Sequence, residues 1–179
     1  MVTQSSKGII LIVDDEAPIR DSLGELLTAC GFEVTTADSV DAAAAVLEKR
    51  RDIEAILSDL KMPGKSGIEL LRYLNKRKLT IPVTFLTGYG TLETCQEAVR
   101  EGAFDYILKP IDDKDKVLFP LTHAVERFRL EANNKLLQAE IIRLAEEHEK
   151  IITQILEDDE IKSKVQDRIS QILDKWNKE

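Results

Sequence analysis

Ile9-Ile10-Leu11-Ile12-Val13-Asp14-Asp15 sets five apolar residues in a row directly against two carboxylates. An unbroken apolar run of strand length is what a strand buried on both faces requires, so this one belongs inside a parallel sheet with helices above and below. The carboxylates then fall just past its carboxyl end. In open α/β sheets that is where ligands bind.

The pattern repeats outward from this strand. Ala17 to Ala29 carries Ile19, Leu23, Leu26 and Leu27 on one stripe, with Gly31 as its C-cap, and predicts a helix. Phe32 to Ala37 reads as a second strand, and Ser39 caps a helix bearing Val40, Ala43, Ala44 and Leu47. Ile53 to Leu57 is a third strand ending at Ser58-Asp59, followed by the turn-rich Lys61-Met62-Pro63-Gly64-Lys65-Ser66-Gly67 and a helix from Ile68 to Arg77. Strand four, Ile81 to Leu86, ends at Thr87; a helix from Thr91 to Arg100 is closed by Gly102; strand five, Phe104 to Leu108, ends at Lys109-Pro110. Strands alternating with amphipathic helices predict a doubly wound α/β domain.

All eight glycines precede Ala103 and no proline follows Pro120. Past that break the chain becomes a Glu/Lys/Leu/Ile-rich helical mixture. Leu137, Ile141, Leu144, His148, Ile151 and Ile155 alternate spacings of four and three, a heptad seam with one polar member. Glu157-Asp158-Asp159-Glu160 interrupts it, and Asp158 or Asp159 is placed to cap a second amphipathic helix bearing Ile161, Val165, Ile169, Ile172, Leu173 and Trp176; a single bent helix is the alternative. The boundary is drawn between residues 1–130, the α/β domain, and 131–179, a coiled-coil extension. Pro120 predicts that the fifth helix of the domain either starts late, near Phe119, or bends.

A formal charge of −8 argues against bulk attraction to nucleic acid or an anionic membrane. From Lys116 onward acids slightly outnumber bases, so no basic recognition helix stands out. No apolar run approaches the ~20 residues of a membrane span. Cys30 and Cys95 read as reduced cytosolic thiols, and the polar start, Met1 to Lys7, is no signal peptide, so a cytoplasmic location is expected.

The chemistry gathers at the strand ends: Asp14 and Asp15 after strand one, Asp59 after strand three, Thr87 after strand four and Lys109 after strand five. Singly, each is an ordinary cap or solvated edge. Together they place three carboxylates, a hydroxyl and an ammonium on one rim. Nearby carboxylates repel unless a cation neutralises them, and hard oxygen ligands select Mg²⁺. A carboxylate beside that ion can attack a phosphoryl group, with Lys109 and Thr87 contacting its oxygens. The product would be an acyl phosphate.

The runs Ile12-Val13-Asp14-Asp15-Glu16, Ser58-Asp59-Leu60-Lys61-Met62-Pro63-Gly64, Leu86-Thr87-Gly88 and Tyr106-Ile107-Leu108-Lys109-Pro110 resemble the receiver domain of two-component response regulators over roughly residues 7–130. The resemblance implies a flavodoxin-like sheet of order 2-1-3-4-5. It implies Asp59 as phosphoacceptor, Asp14 and Asp15 as the acidic pair holding Mg²⁺ with Asp59, and the Lys61 backbone carbonyl as a further ligand. Thr87 and Lys109 match the residues that contact the phosphoryl group. Tyr106 matches the aromatic that changes rotamer with Thr87, and the Lys109-Pro110 bond is often cis in the family. Lys61 and Tyr89 stand at positions that differ among relatives, and the resemblance leaves two readings open for them: tuning of acyl-phosphate lifetime, or plain surface residues. The implied partner is a sensor histidine kinase or histidine phosphotransfer protein, with slow autocatalytic hydrolysis of the mark.

Output is less constrained. Ala124 to Leu136 is similar to the linker of enhancer-binding activators, where a receiver leads through a coiled coil into an ATPase; no such ATPase follows within these residues. The expectation is a homodimer through the helical extension, the fourth-helix/fifth-helix face, or both. The alternative is a phosphorylation-dependent adaptor whose tail binds a partner protein directly. A true phosphatase of the aspartyl-phosphate type needs a second Asp two residues after the nucleophile, and that position is Lys61. His148, set in a heptad seam, reads as a register residue rather than a phosphotransfer histidine.

Overall fold

The computed structural model describes residues 6–88, 92–155 and 159–176. Five strands, β1 (Ile9–Val13), β2 (Glu33–Ala37), β3 (Ala55–Asp59), β4 (Val83–Thr87) and β5 (Asp105–Leu108), form one parallel sheet in the order β2-β1-β3-β4-β5. The helices are α1 (Ala17–Ala29), α2 (Val40–Lys49), α3 (Gly67–Arg77), α4 (Leu92–Glu101), α5 (Asp115–Ile155) and α6 (Asp159–Trp176). The expected doubly wound five-stranded architecture is the one observed.

The alternation of side chains along the central strands splits the interior into two cores. Leu11, Val13, Ile56, Val83 and Phe85 pack with α2 and α3, through residues such as Leu47, Leu70 and Leu74. Ile10, Ile12, Leu57 and Leu86 pack with α1 and the start of α5, through Leu23, Leu27, Leu121 and Val125. Because β1 and β3 sit in the middle of the sheet, both of their faces are covered, which is why Ile10 to Val13 and Ala55 to Leu57 are all buried.

Local chemistry sets the ends of these elements. The Ser39 hydroxyl accepts the Ala42 N–H at 3.3 Å and caps α2. Gly31, at φ +93°, turns the chain out of α1 while the Phe32 N–H reaches back to the Leu27 carbonyl at 3.0 Å. Strand β4 begins at Val83 rather than Ile81 because Pro82 has no N–H to enter a ladder; its carbonyl still accepts Ile56 N–H at 2.9 Å.

Pro120 does not delay the fifth helix, which begins at Asp115, well upstream of Phe119. The proline stands in its second turn, where the missing N–H removes a single bond to the first turn.

The chain divides into two compact units, Met1–Leu130 and Glu131–Glu179. In the second, the heptad positions Leu137, Ile141, Leu144 and Ile151 are exposed by 40 to 53%. Helix α6 begins at Asp159; Asp158, the other expected cap, lies outside the described residues. Among the described residues no helix is long and apolar enough to cross a membrane.

Candidate functional site

Asp14 follows β1 and Asp59 closes β3, and since β1 and β3 are neighbours with Val13 paired to Ser58, the two carboxylates emerge side by side. Both are buried, Asp14 to 1% and Asp59 to 8% exposure. Lys109, just past β5, spans to both: its Nζ donates to Asp59 Oδ1 at 3.0 Å and to Asp14 Oδ2 at 3.3 Å. The remaining oxygens are also engaged. Asp59 Oδ2 accepts the Lys61 backbone N–H at 2.8 Å, and Asp14 Oδ1 accepts the Glu16 N–H at 2.8 Å. Thr87, buried at the end of β4, offers its carbonyl to the Lys109 N–H at 2.8 Å, which ties the lysine's backbone to the neighbouring strand.

Charge at this rim is unbalanced. Two carboxylates share one ammonium. Burial raises the Asp59 carboxyl above the ordinary aspartate range, the Lys109 bond and charge and the Lys61 amide counter that only in part, and the Asp14 charge adds to the rise. Burial alone would pull the Lys109 ammonium down, but the bonds and charges of Asp59 and Asp14 outweigh it and hold it above its ordinary value.

Of the residues expected on the rim, the fold gathers Asp14, Asp59 and Lys109. Thr87 ends the strand between Asp59 and Lys109. Asp15 stays exposed, and among the described residues no three carboxylate, imidazole or thiolate groups lie close enough together to hold a metal ion. The donor set that is gathered still suits a hard divalent cation, being all oxygen and carrying more negative charge than Lys109 cancels. Tyr106 lies on β5 with 48% of its surface exposed, and the Lys61 side chain is also exposed. The Lys109-Pro110 bond is cis. Tyr89 lies outside the described residues.

Two contacts carry no sequence signal strong enough to single them out. Arg20, in the second turn of α1, donates from one guanidinium nitrogen to the Asp14 backbone carbonyl at 2.6 Å. Gly67 opens α3 directly against β3, donating its N–H to the Leu60 carbonyl at 3.1 Å. A Cβ at Gly67 would stand 2.5 Å from the Asp59 carbonyl oxygen. A glycine after a Pro-Gly turn and an arginine on a solvated helix face both look ordinary in the sequence.

The family model of the response regulator receiver domain matches residues 10–118, all of the sheet but its first residue, Ile9, and the site at its rim. The chain belongs to this family. The chain is 33% identical over 137 residues to the transcriptional regulatory protein FixJ of Bradyrhizobium diazoefficiens, covering 76% of this chain and 66% of that one. It is 43% identical over 102 residues to the transcriptional regulatory protein FixJ of Rhizobium meliloti, 57% of this chain and 50% of that one. Among solved structures, the crystal structure of FixJ-N resembles the receiver with a TM-score of 0.61 and 39% identity, over 66% of this chain and 94% of that one. The chain thus spans about half to two thirds of the length of these curated relatives.

Proposed function

We propose that this receiver is a phosphoacceptor switch: Asp59 takes a phosphoryl group from a sensor histidine kinase or a histidine phosphotransfer protein. The observation that carries the reading is the Lys109 ammonium bridging two buried, incompletely neutralised carboxylates. Asp14, Asp15 and Asp59, with the backbone carbonyl of Lys61, are the residues that would hold Mg²⁺. When bound, the ion screens the charge on the incoming phosphoryl oxygens.

The chain's own groups divide the remaining work. The Lys61 N–H and Lys109 hold the Asp59 carboxylate in place, so little reorganisation precedes attack. An Asp59 oxygen forms the bond to phosphorus as the bond to the donor's imidazole nitrogen breaks, and the imidazole leaves with its electron pair. Lys109, released from one carboxylate oxygen, pairs with the phosphoryl oxygens as a point charge. The Thr87 hydroxyl donates to one of them, and Tyr106 follows Thr87. Water later attacks phosphorus and returns Asp59 to the carboxylate, so the receiver is a self-resetting switch rather than a turnover enzyme.

The output is read from residues 131–179, the helical extension. Its exposed Leu137, Ile141, Leu144 and Ile151 favour a second copy of the chain as the partner, in a cytoplasmic homodimer that makes no direct nucleic-acid contact through these residues.

Labelling with acetyl phosphate tests the phosphoacceptor. The parent should incorporate one alkali-labile phosphoryl group, and Asp59→Asn should incorporate none while remaining folded. Persistent labelling of that variant would sink the assignment. Light scattering with Mg²⁺, before and after beryllofluoride, tests the output. A monomer in both states would replace the dimer with the adaptor reading, in which the seam binds a different protein.

A further inference from the structure

We infer that Arg20 is a positioning residue for the acidic turn, holding the Asp14 backbone so that the Asp14 carboxylate faces the site. The inference rests on the phosphoacceptor reading above.

Four hydrogen bonds meet at Asp14. Its N–H donates to the Ala37 carbonyl at 3.2 Å, fixing the residue to β2. Its carboxylate takes the Glu16 N–H and the Lys109 ammonium. Its carbonyl takes the Arg20 guanidinium at 2.6 Å, the shortest of these contacts. The start of α1 adds no side-chain bond of its own to this turn, although the Ile19 N–H reaches the Glu16 carbonyl at 3.1 Å. Glu16 is the N-cap of α1 but makes no side-chain capping bond, and Pro18 in the first turn has no N–H to contribute. Arg20 has its own N–H bonded to the Glu16 carbonyl at 3.1 Å. Its backbone therefore grips one end of the turn and its side chain the other. Asp15 lies between these grips, and it is the expected ligand that the fold leaves exposed.

Such a role acts on a metal site through its ligands, and removal of an outer partner of this kind typically weakens affinity by about 10-fold or more. Charge alone works in the opposite direction. Taking a cation away from an acidic site tightens the binding of a divalent cation. The sign of the change therefore separates positioning from plain electrostatics.

The test uses the full chain with Arg20→Met and Arg20→Lys, titrated with Mg²⁺ by calorimetry, and amide hydrogen exchange without metal. Arg20→Met should weaken Mg²⁺ binding about 10-fold. It should also speed exchange at the Glu16 amide, with Ile10 to Val13 unchanged. Arg20→Lys, which keeps a donor and the charge, should recover most of both. Mg²⁺ binding by Arg20→Met equal to or tighter than the parent's, or an unchanged Glu16 amide, overturns the inference. A parent that fails to bind Mg²⁺ at all overturns the metal reading beneath it instead.

Discussion

Replacing Gly67 by alanine should destabilise the receiver although alanine is the better helix former. The glycine's φ lies outside the positive region, so the backbone conformation itself admits a side chain. Relief of glycine's excess unfolded-state freedom would by itself favour alanine by about 0.5–1 kcal/mol. The space forbids it. A Cβ at residue 67 would meet the Asp59 carbonyl oxygen at 2.5 Å and the Phe85 ring at 2.7 and 3.2 Å. Neither neighbour can yield easily, since one is the backbone at the buried end of β3 and the other is a fully buried aromatic packed in the core. Overpacking of this kind costs about 1–3 kcal/mol. With the propensity gain set against it, a net loss of about 1 kcal/mol at the middle of these ranges is expected, or a Tm lowered by roughly 2–4 °C for a chain of this length. Gly24→Ala supplies the opposite case. That residue is inside α1 and its nearest neighbour is Val34 Cγ1 at 4.0 Å, so the same substitution should raise stability by about 0.5–1 kcal/mol. Urea unfolding of both variants beside the parent is the assay. A Gly67→Ala protein as stable as the parent would refute the argument, because it would mean that the Asp59 backbone gives way freely.

Asp59→Asn should be more stable than the parent at pH 7. The folded state raises the Asp59 pKa, so it binds that proton more tightly than the unfolded chain and loses stability as pH rises through the shifted value. Each unit of such a shift corresponds to about 1.4 kcal/mol, and the advantage of Asn should fade below about pH 4, where the unfolded carboxyl protonates as well. A variant less stable than the parent at pH 7 would show that the Lys109 bond, not burial, governs the site. Thr84→Val should stabilise by about 1 kcal/mol in the same assay, since the Thr84 hydroxyl is buried with no hydrogen-bond partner among the described residues; a loss would reveal a bonded hydroxyl. Glu54→Ala should cost about 1–3 kcal/mol, because the carboxylate accepts the Ile9 N–H at 2.9 Å and both forks of Arg129 at 2.6 and 2.9 Å. Glu54→Gln, which keeps an acceptor for Ile9, should recover part of that loss, and equal damage from both would contradict the geometry.

The fold was legible because its strongest signal is short-range. The apolar run from Ile9 to Val13 can be satisfied only by burial on both faces, and the interior strands β3 and β4 repeat that logic, whereas the edge strands β2 and β5 are only partly buried. The site residues were legible one strand end at a time, since Asp14, Asp59, Thr87 and Lys109 each follow an apolar run. What the sequence did not carry is their mutual geometry. Lys109 bridges Asp14 and Asp59 from 95 and 50 residues away, and nothing local tells which oxygens it takes. Arg20 was hidden for a related reason: its partner is a backbone carbonyl, which has no side-chain identity to read. Of the two outcomes that Pro120 allowed, the start at Asp115 removes the late one, because a proline's cost depends on which turn of the helix it occupies and here it falls early.

Strand β5 is the shortest of the sheet, and among the described residues it lies at the edge with β4 as its neighbour. Yet it leads straight into the lysine that answers to two buried negative charges. Stiffness in this sheet is thus distributed unevenly: β1 and β3 are braced on both sides, while the most compliant strand sits next to the group most sensitive to the charge on Asp59. A pull on Lys109 would be absorbed less by the centre of the sheet than by its margin, where Tyr106 and Leu108 already face outward. Mechanically, the margin works like a reed fixed along one side, and a neighbour pressing on that margin would in turn load the lysine.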